Sequence, residues 1–163
     1  MNPFDPQSDS DRHFIWDRLV AVDCEAFANG DWSQIEPDFD LASFEGIRCF
    51  HSPNPDEWKI IFPDLDSYRD SWLAASEAYR AMRPVGHSHF EALLARCHLN
   101  EIDVVGDRAM ALKKFYGEVP LADGTTLANR RQTLYRLHKQ NGIWKIVGFF
   151  GQLPLHVDGV SAR

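Results

Sequence analysis

Apolar and polar positions along this chain follow two periodicities, and the switches between them lay out its elements. Trp16, Val20, Asp23 and Phe27 are spaced 4, 3 and 4 apart, which places them on one face of a helix. That helix is expected over 11–29, ending at Asn29-Gly30, where glycine suits the left-handed C-terminal position. Asp31 then caps a short second helix over 32–36, closed by Pro37. Leu65, Tyr68, Trp72, Tyr79 and Met82 keep helical spacing. They predict a third helix over 65–82, capped by Asp64 or Asp66 and stopped at Arg83-Pro84.

The remaining runs are β-rich. Segments 45–52 and 57–62 read as strands joined through Ser52-Pro-Asn-Pro55. Four longer strands follow at 87–103, 108–119, 127–139 and 143–152, with turns at Gly106-Asp107 and Ala122-Asp-Gly124. Asn141-Gly142, between the last two, is the strongest short-range hairpin signal a sequence offers. The final run is apolar on both faces, because Ile146, Val147, Phe149 and Phe150 do not alternate with polar residues. Such a strand is expected to be covered on both sides.

The hairpin leaves two registers open. A three-residue loop with a glycine bulge pairs Lys139 with Ile143 and Tyr135 with Val147, so that Arg131, Thr133, Tyr135, Val147 and Phe149 share one face. A two-residue type I′ turn instead sets Tyr135 against Gly148 and Thr133 against Phe150. Helices followed by a run of strands predict an α+β fold with an antiparallel sheet. Residues 11–153 form one domain in this reading, with 1–10 a mobile lead-in and 154–163 a C-terminal tail.

Composition narrows the function classes. The length of 163 residues suits one domain with a full core. A net charge of −7 with no Lys/Arg-rich run argues against a nucleic-acid partner, since phosphate binding needs a basic face. No apolar run reaches the ~18 residues that span a bilayer. The first ten residues lack both the basic start and the apolar stretch of a signal peptide. The expected location is the cytoplasm. Cys24, Cys49 and Cys97 have no CxxC spacing and read as small buried hydrophobes in a reducing compartment.

Two residues carry candidate chemistry. Asp23 interrupts an apolar stripe, where burial would raise its pKa toward a value useful for proton transfer. The alternative is a carboxylate at the stripe's edge, exposed or paired with an arginine. His89, in Gly86-His-Ser-His-Phe90 at the start of a strand, belongs to the residue type most often used for the same work. Its alternative is a strand-end histidine that is hydrogen-bonded and chemically idle. His87, His89 and Glu91 share one strand face and so could ligate a divalent metal. The other histidines have no partner spacing.

The element order, with Asn29-Gly-Asp-Trp32 after the first helix and Asn141-Gly-Ile-Trp-Lys-Ile146 in the last hairpin, resembles the nuclear transport factor 2-like superfamily. That group includes scytalone dehydratase, ketosteroid isomerase and SnoaL-like polyketide cyclases. The resemblance spans residues 11–153. It implies a cone in which a curved antiparallel sheet wraps around the N-terminal helices, enclosing a deep apolar pocket. It also implies a homodimer and chemistry without metal or cofactor. The fold hosts enzymes, transport factors and dimerisation modules alike, so function rests on the site.

Through this resemblance Asp23 falls where ketosteroid isomerase carries its hydrogen-bonding tyrosine. His89 falls where scytalone dehydratase opens a strand with a pocket-facing histidine. Arg131, Thr133, Phe149 and Leu153 fall at pocket-lining positions, and Phe27 and Phe50 replace the dehydratase's two water-holding tyrosines. Ala28 stands in place of its aspartate, and Met110-Ala-Leu-Lys-Lys-Phe115 offers no counterpart to its second histidine. The same dehydration by the same groups is therefore not expected.

Beside a metal-dependent enzyme using His87, His89 and Glu91, two functions remain. One is a small-molecule-binding protein with an apolar pocket, acting as a metal-free lyase or isomerase on a cyclic apolar substrate. Asp23 and His89 would then be the acid/base pair, with Tyr135 and Thr133 orienting the substrate among Trp16, Phe27, Phe50, Arg131, Phe149 and Leu153. Arg131 in that wall could pair with Asp23, clamp a substrate carboxylate, or face solvent. The other function is a non-catalytic binding or dimerisation module, such as a carrier or an assembly subunit.

Overall fold

The first helix is continuous but changes pitch twice. In the computed structural model, described over residues 1–155, α1 is α-helical over Ser10–Trp16, π-helical over Asp17–Val22 and α-helical again over Asp23–Asn29. A π turn inserts about one residue relative to α pitch, so it rotates the upstream face by roughly 100° against the downstream one. Trp16 and Asp23 therefore do not share the face that uniform spacing assigns them. Ile15, Trp16, Leu19 and Val20 sit in the core, while Asp23 and Phe27 face a cavity. Gly30 closes the helix in the left-handed conformation, φ 72°.

Shorter elements follow. Two 3₁₀ turns, Trp32–Gln34 and Glu36–Asp38, stand where one short helix is expected, and Pro37 helps start the second. β1 (Glu45–Arg48) and β2 (Lys59–Phe62) form an antiparallel pair. β1 ends early because Phe50 and His51 adopt positive φ of 52° and 59°. α2 (Leu65–Arg80) starts at Asp64, whose side chain accepts from the Ser67 N–H. The Ser76 hydroxyl donates to the Phe27 carbonyl at 2.6 Å and fastens α2 across α1.

The largest departure from the sequence reading is at 87–103. This segment is α3 (His89–Arg96) followed by β3 (Cys97–Val105), not one long strand. The Glu91 N–H donates to the Ser88 hydroxyl at 3.2 Å, and the Ser88 N–H donates to the Glu91 carboxylate at 2.8 Å. That capping box satisfies two free N–H groups at the helix start. The following Ala-Leu-Leu-Ala are strong helix formers.

The remaining strands are β4 (Arg108–Phe115), β5 (Val119–Pro120), β6 (Thr126–Leu127), β7 (Arg131–Gln140) and β8 (Ile143–Leu153). The main sheet has the order β2-β1-β8-β7-β4-β3, with β5 and β6 paired separately. Its pairings are antiparallel except β1 with β8, which is parallel. The fold is thus α+β, a large curved sheet with the helices against one face. Within the described residues Cys24, Cys49 and Cys97 are free and buried. The lead-in docks on the body: Phe4 packs against the core and Asn2 donates to the His13 carbonyl. Of the expected C-terminal tail, residues 156–163 lie outside the described residues.

The hairpin adopts neither expected register at Tyr135. Asn141 (φ 51°) and Gly142 (φ 81°) make a two-residue turn that pairs Gln140 with Ile143 and Leu137 with Ile146. Val147 then bulges, so Arg136 faces Gly148 and Tyr135 faces Phe149. The extra residue swaps which positions point inward. Ile146 before the bulge and Phe149 after it are both buried on the core side. That is why this run does not alternate. A second shift separates Leu134–Phe150 from Gln132–Leu153, where Gln152 takes a positive φ of 54°.

Candidate functional site

Between α1, α2 and the concave face of the sheet lies a cavity of about 440 Å³, within the range of small-molecule sites. Aromatic rings supply much of its wall. Phe27 meets Trp72 edge-on at 5.1 Å between ring centroids, and Tyr68 meets Phe149 at 4.9 Å. Thr133 and Tyr135 of β7, with Tyr68 of α2, bring hydroxyls to this lining. None of the three has a side-chain hydrogen bond among the described residues. Burial pushes the Tyr135 phenol up to about 12 and the Tyr68 phenol well above its ordinary value. Both stay protonated donors across the physiological range.

The polar centre of the site is an ion pair. The Lys113 ammonium donates to the Asp23 carboxylate at 2.6 Å, and also to the Leu19 carbonyl. Lys113 is fully buried and the Asp23 side chain is 24% exposed, so the carboxylate keeps an open side. The π segment matters locally, because it ends at Val22 and turns Asp23 toward the sheet. Burial, the largest influence on Lys113, favours loss of its proton. The Asp23 carboxylate, with smaller contributions from Cys97, Tyr135 and Cys24, outweighs that and holds the lysine well above its ordinary value. Lys113 is a fixed cation that orients Asp23. Next to the pair, the Cys24 and Cys97 thiols hydrogen-bond to each other, which with burial pushes Cys24 up.

Phe27, Arg131, Thr133, Tyr135 and Phe149 line the cavity together with Asp23, as the sequence reading places them. Trp16, Phe50, His89 and Leu153 do not. Trp16 lies upstream of the π turn and is core. Phe50 follows the backward bend after β1 and is 47% exposed. Leu153 lies beyond the second shift of β8, and Gly151 and Gln152 reach the lining in its stead.

His89 opens a helix rather than a strand. A ring nitrogen lies 2.8 Å from the Met82 carbonyl, and its own carbonyl accepts from the Tyr79 hydroxyl at 2.8 Å. Asp23 and His89 are not brought together as an acid/base pair. The possible metal trio dissolves for the same reason: Glu91 is committed to the Ser88 backbone. No group of three metal-ligating side chains occurs among the described residues.

Lys113, Arg48, Arg96 and Tyr68 are the functional candidates that sequence reasoning missed. For Lys113 a signal existed. Ala109, Ala111 and Lys113 fall at i, i+2 and i+4 on one face of β4, and two buried alanines mark that face as inward. Of the readings open for Arg131, pairing with Asp23 is removed, because Lys113 holds that carboxylate.

No protein-family model matches the sequence, and no curated protein does. Solved structures do. A nuclear transport factor 2-like protein of unknown function from Shewanella baltica OS155 superposes with a TM-score of 0.55 at 16% identity, over 87% of this chain and 92% of that one. A domain of unknown function from Nostoc punctiforme, described as having a cystatin-like fold, gives 0.61 at 14% identity over 91% and 80%. A further nuclear transport factor 2-like protein of unknown function, from Pseudomonas putida KT2440, gives 0.55 at 12% identity over 91% and 90%. At these identities the likeness concerns architecture alone. The chain has the nuclear transport factor 2-like fold.

Proposed function

We propose that this protein binds a cyclic apolar small molecule in the cavity and acts on it as a cofactor-independent lyase or isomerase. The observation that carries this reading is the Asp23 carboxylate, held at 2.6 Å by a fully buried lysine and open on one side to an aromatic-lined cavity. Asp23 is the proton-transfer group. Lys113 orients it and is a positioning residue. Thr133, Tyr135 and Tyr68 direct hydroxyls at the ligand, and Phe27 and Phe149 pack on its rings. A low-dielectric wall strengthens each polar contact.

The test uses 5-nitrobenzisoxazole, whose ring opens when a base removes the proton on C3 and the N–O bond breaks to give the cyanophenolate. Wild-type protein is expected to open it well above the rate of free acetate, and Asp23→Asn to abolish that excess. Wild-type protein that binds the probe but does not turn it over would shift the assignment to a binding module.

One observation favours an assembly role beside the pocket. On the outer face of the sheet, Leu112, Leu134 and Phe150 form one cross-strand row, and the neighbouring Met110 is 50% exposed. An apolar row there suits a second copy of the chain, and a homodimer by sedimentation equilibrium is the expected outcome.

A further inference from the structure

The cavity carries a charge that the chain as a whole does not. The protein's net charge is −7, yet the described cavity wall holds three arginines, Arg48, Arg96 and Arg131, against the single carboxylate of Asp23. Lys113 already neutralises that carboxylate. Arg96 is 4% exposed and donates only to neutral carbonyl oxygens, to Gly117 at 3.0 Å and to the backbone and side chain of Asn129 at 2.5 and 2.7 Å. Its charge is satisfied geometrically but not cancelled.

Arg131 and Arg48 make no ion pair among the described residues. Their guanidinium groups lie 4.8 Å from the Phe115 ring centroid and 5.4 Å from that of Phe62. Cation–π contact leaves the N–H edges of a guanidinium free for an oxyanion. The positive charge of Arg131 is felt at Arg96, whose guanidinium is destabilised first by burial and then by this like charge. An anion between the two relieves that repulsion.

Position along the sheet completes the argument. Arg131, Thr133 and Tyr135 alternate inward on β7, and Thr133 pairs directly with Lys113 of β4. Arg131 is therefore one inward step, about 7 Å along the strand, from the Asp23–Lys113 row. That is roughly the width of one aromatic ring with its substituent.

We propose that the ligand is an aromatic or fused-ring carboxylate whose anionic group is held by Arg131, with Arg96 behind it, while its ring body lies over Asp23 and Lys113. This rests on the cavity reading above and specifies its substrate class. A phosphate monoester offers the same oxyanion chemistry, and the experiment separates the two.

Isothermal titration of 2-naphthoate, 2-naphthamide and 2-naphthyl phosphate against wild type, Arg131→Leu and Arg131→Lys is the test. Charge-assisted hydrogen bonds predict that wild type binds the carboxylate about 10- to 100-fold tighter than the isosteric amide. Arg131→Leu should bring that ratio close to one by weakening the carboxylate far more than the amide, and Arg131→Lys should restore part of it. Should Arg131→Leu fail to fold, salt keeps the question open to measurement in wild type. Raising ionic strength from about 0.05 to about 0.5 M should weaken 2-naphthoate and leave 2-naphthamide alone.

Phosphate binding well above carboxylate assigns the oxyanion to a phosphate monoester and overturns the carboxylate assignment. Equal binding of acid and amide by wild type, or equal weakening of both by Arg131→Leu, overturns the anion site and leaves the cavity reading standing. Binding of none of the three probes overturns the cavity reading itself, and the anion site with it.

Discussion

Lys113 and Arg96 are both buried cations beside one cavity, and they meet the cost of burial in opposite ways. Lys113 takes a carboxylate partner, so its charge is cancelled inside the protein. Arg96 takes only carbonyl oxygens from Gly117 and Asn129, which satisfy its N–H groups while leaving its charge in place. Lysine's compact ammonium is well served by one close carboxylate, whereas the arginine fork spreads its donors over several neutral acceptors. The difference divides the cavity into a neutral end at Asp23 and a positive end at Arg96 and Arg131. In the proposed function, two ends of different charge would orient a ligand where a single polar lining would not.

The most direct way to break this contrast is Lys113→Met. It strips Asp23 of its countercharge and leaves the Leu19 carbonyl without its donor. Breaking a buried pair typically costs about 3–5 kcal/mol, and the partial exposure of Asp23 places the expected loss near about 3. Urea denaturation measures it. In the double variant Asp23→Leu/Lys113→Met, apolar groups replace both charges, and more than half of that loss should return. A single-variant loss below about 1 kcal/mol would mean that the pair is screened and that the two ends are not distinct.

Alkaline titration sharpens the same end. Burial raises the Tyr135 phenol from 10.0 to about 12 in the folded protein. Below about pH 10 the phenol is protonated in both states and the contribution is fully present. As pH rises from about 10 to about 12 the unfolded chain loses its proton first, so stability falls, by on the order of 2 kcal/mol for this group. Tyr79, also raised to about 12 by burial, adds in the same direction. Tyr135→Phe should remove its share of the slope, read as unfolding free energy at about pH 9 against about pH 11.5. An unchanged slope in Tyr135→Phe would place the phenol in contact with bulk water and open the neutral end to solvent.

The same contrast shows what could be read in the sequence. Gly30, the α2 stripe, the Asn141-Gly142 turn and the shared face of Arg131, Thr133 and Tyr135 follow from local spacing, which is visible in one dimension; that this face turns inward is what the family resemblance implies. What failed depends on a single inserted residue. The π turn in α1 rotates Trp16 away from Asp23, and the bulge at Val147 sets Phe149, not Val147 or Gly148, opposite Tyr135 without any change in composition. Neither insertion leaves a compositional mark, because π pitch and bulges arise from how the elements pack together. The partner of Asp23 lies 90 residues away along the chain, and pairing at that range is settled by strand order. The α3 helix is different. Ser88 and Glu91 stand three apart just before an apolar run, a legible helix start that the β-rich reading of 87–103 passed over.

The smallest test concerns how Arg96 is held, since it closes α3 and the capping box of Ser88 opens it. Ser88→Ala removes the acceptor for the Glu91 N–H and should lower stability by about 1 kcal/mol, the usual cost of losing an N-cap. The fraying should stay in the first turn, visible as faster amide hydrogen exchange from Phe90 to Ala92, because cap effects fade within a turn. Arg96 lies at the far end of the helix and is anchored outside it, on Gly117 and Asn129. The preference for 2-naphthoate over 2-naphthamide should therefore survive Ser88→Ala within about twofold. Were that preference to fall together with stability, the helix and not the carbonyl cradle would be what positions Arg96. The positive end would then depend on α3 staying folded, and the neutral end, built on α1 and β4, would be the only rigid half of the cavity.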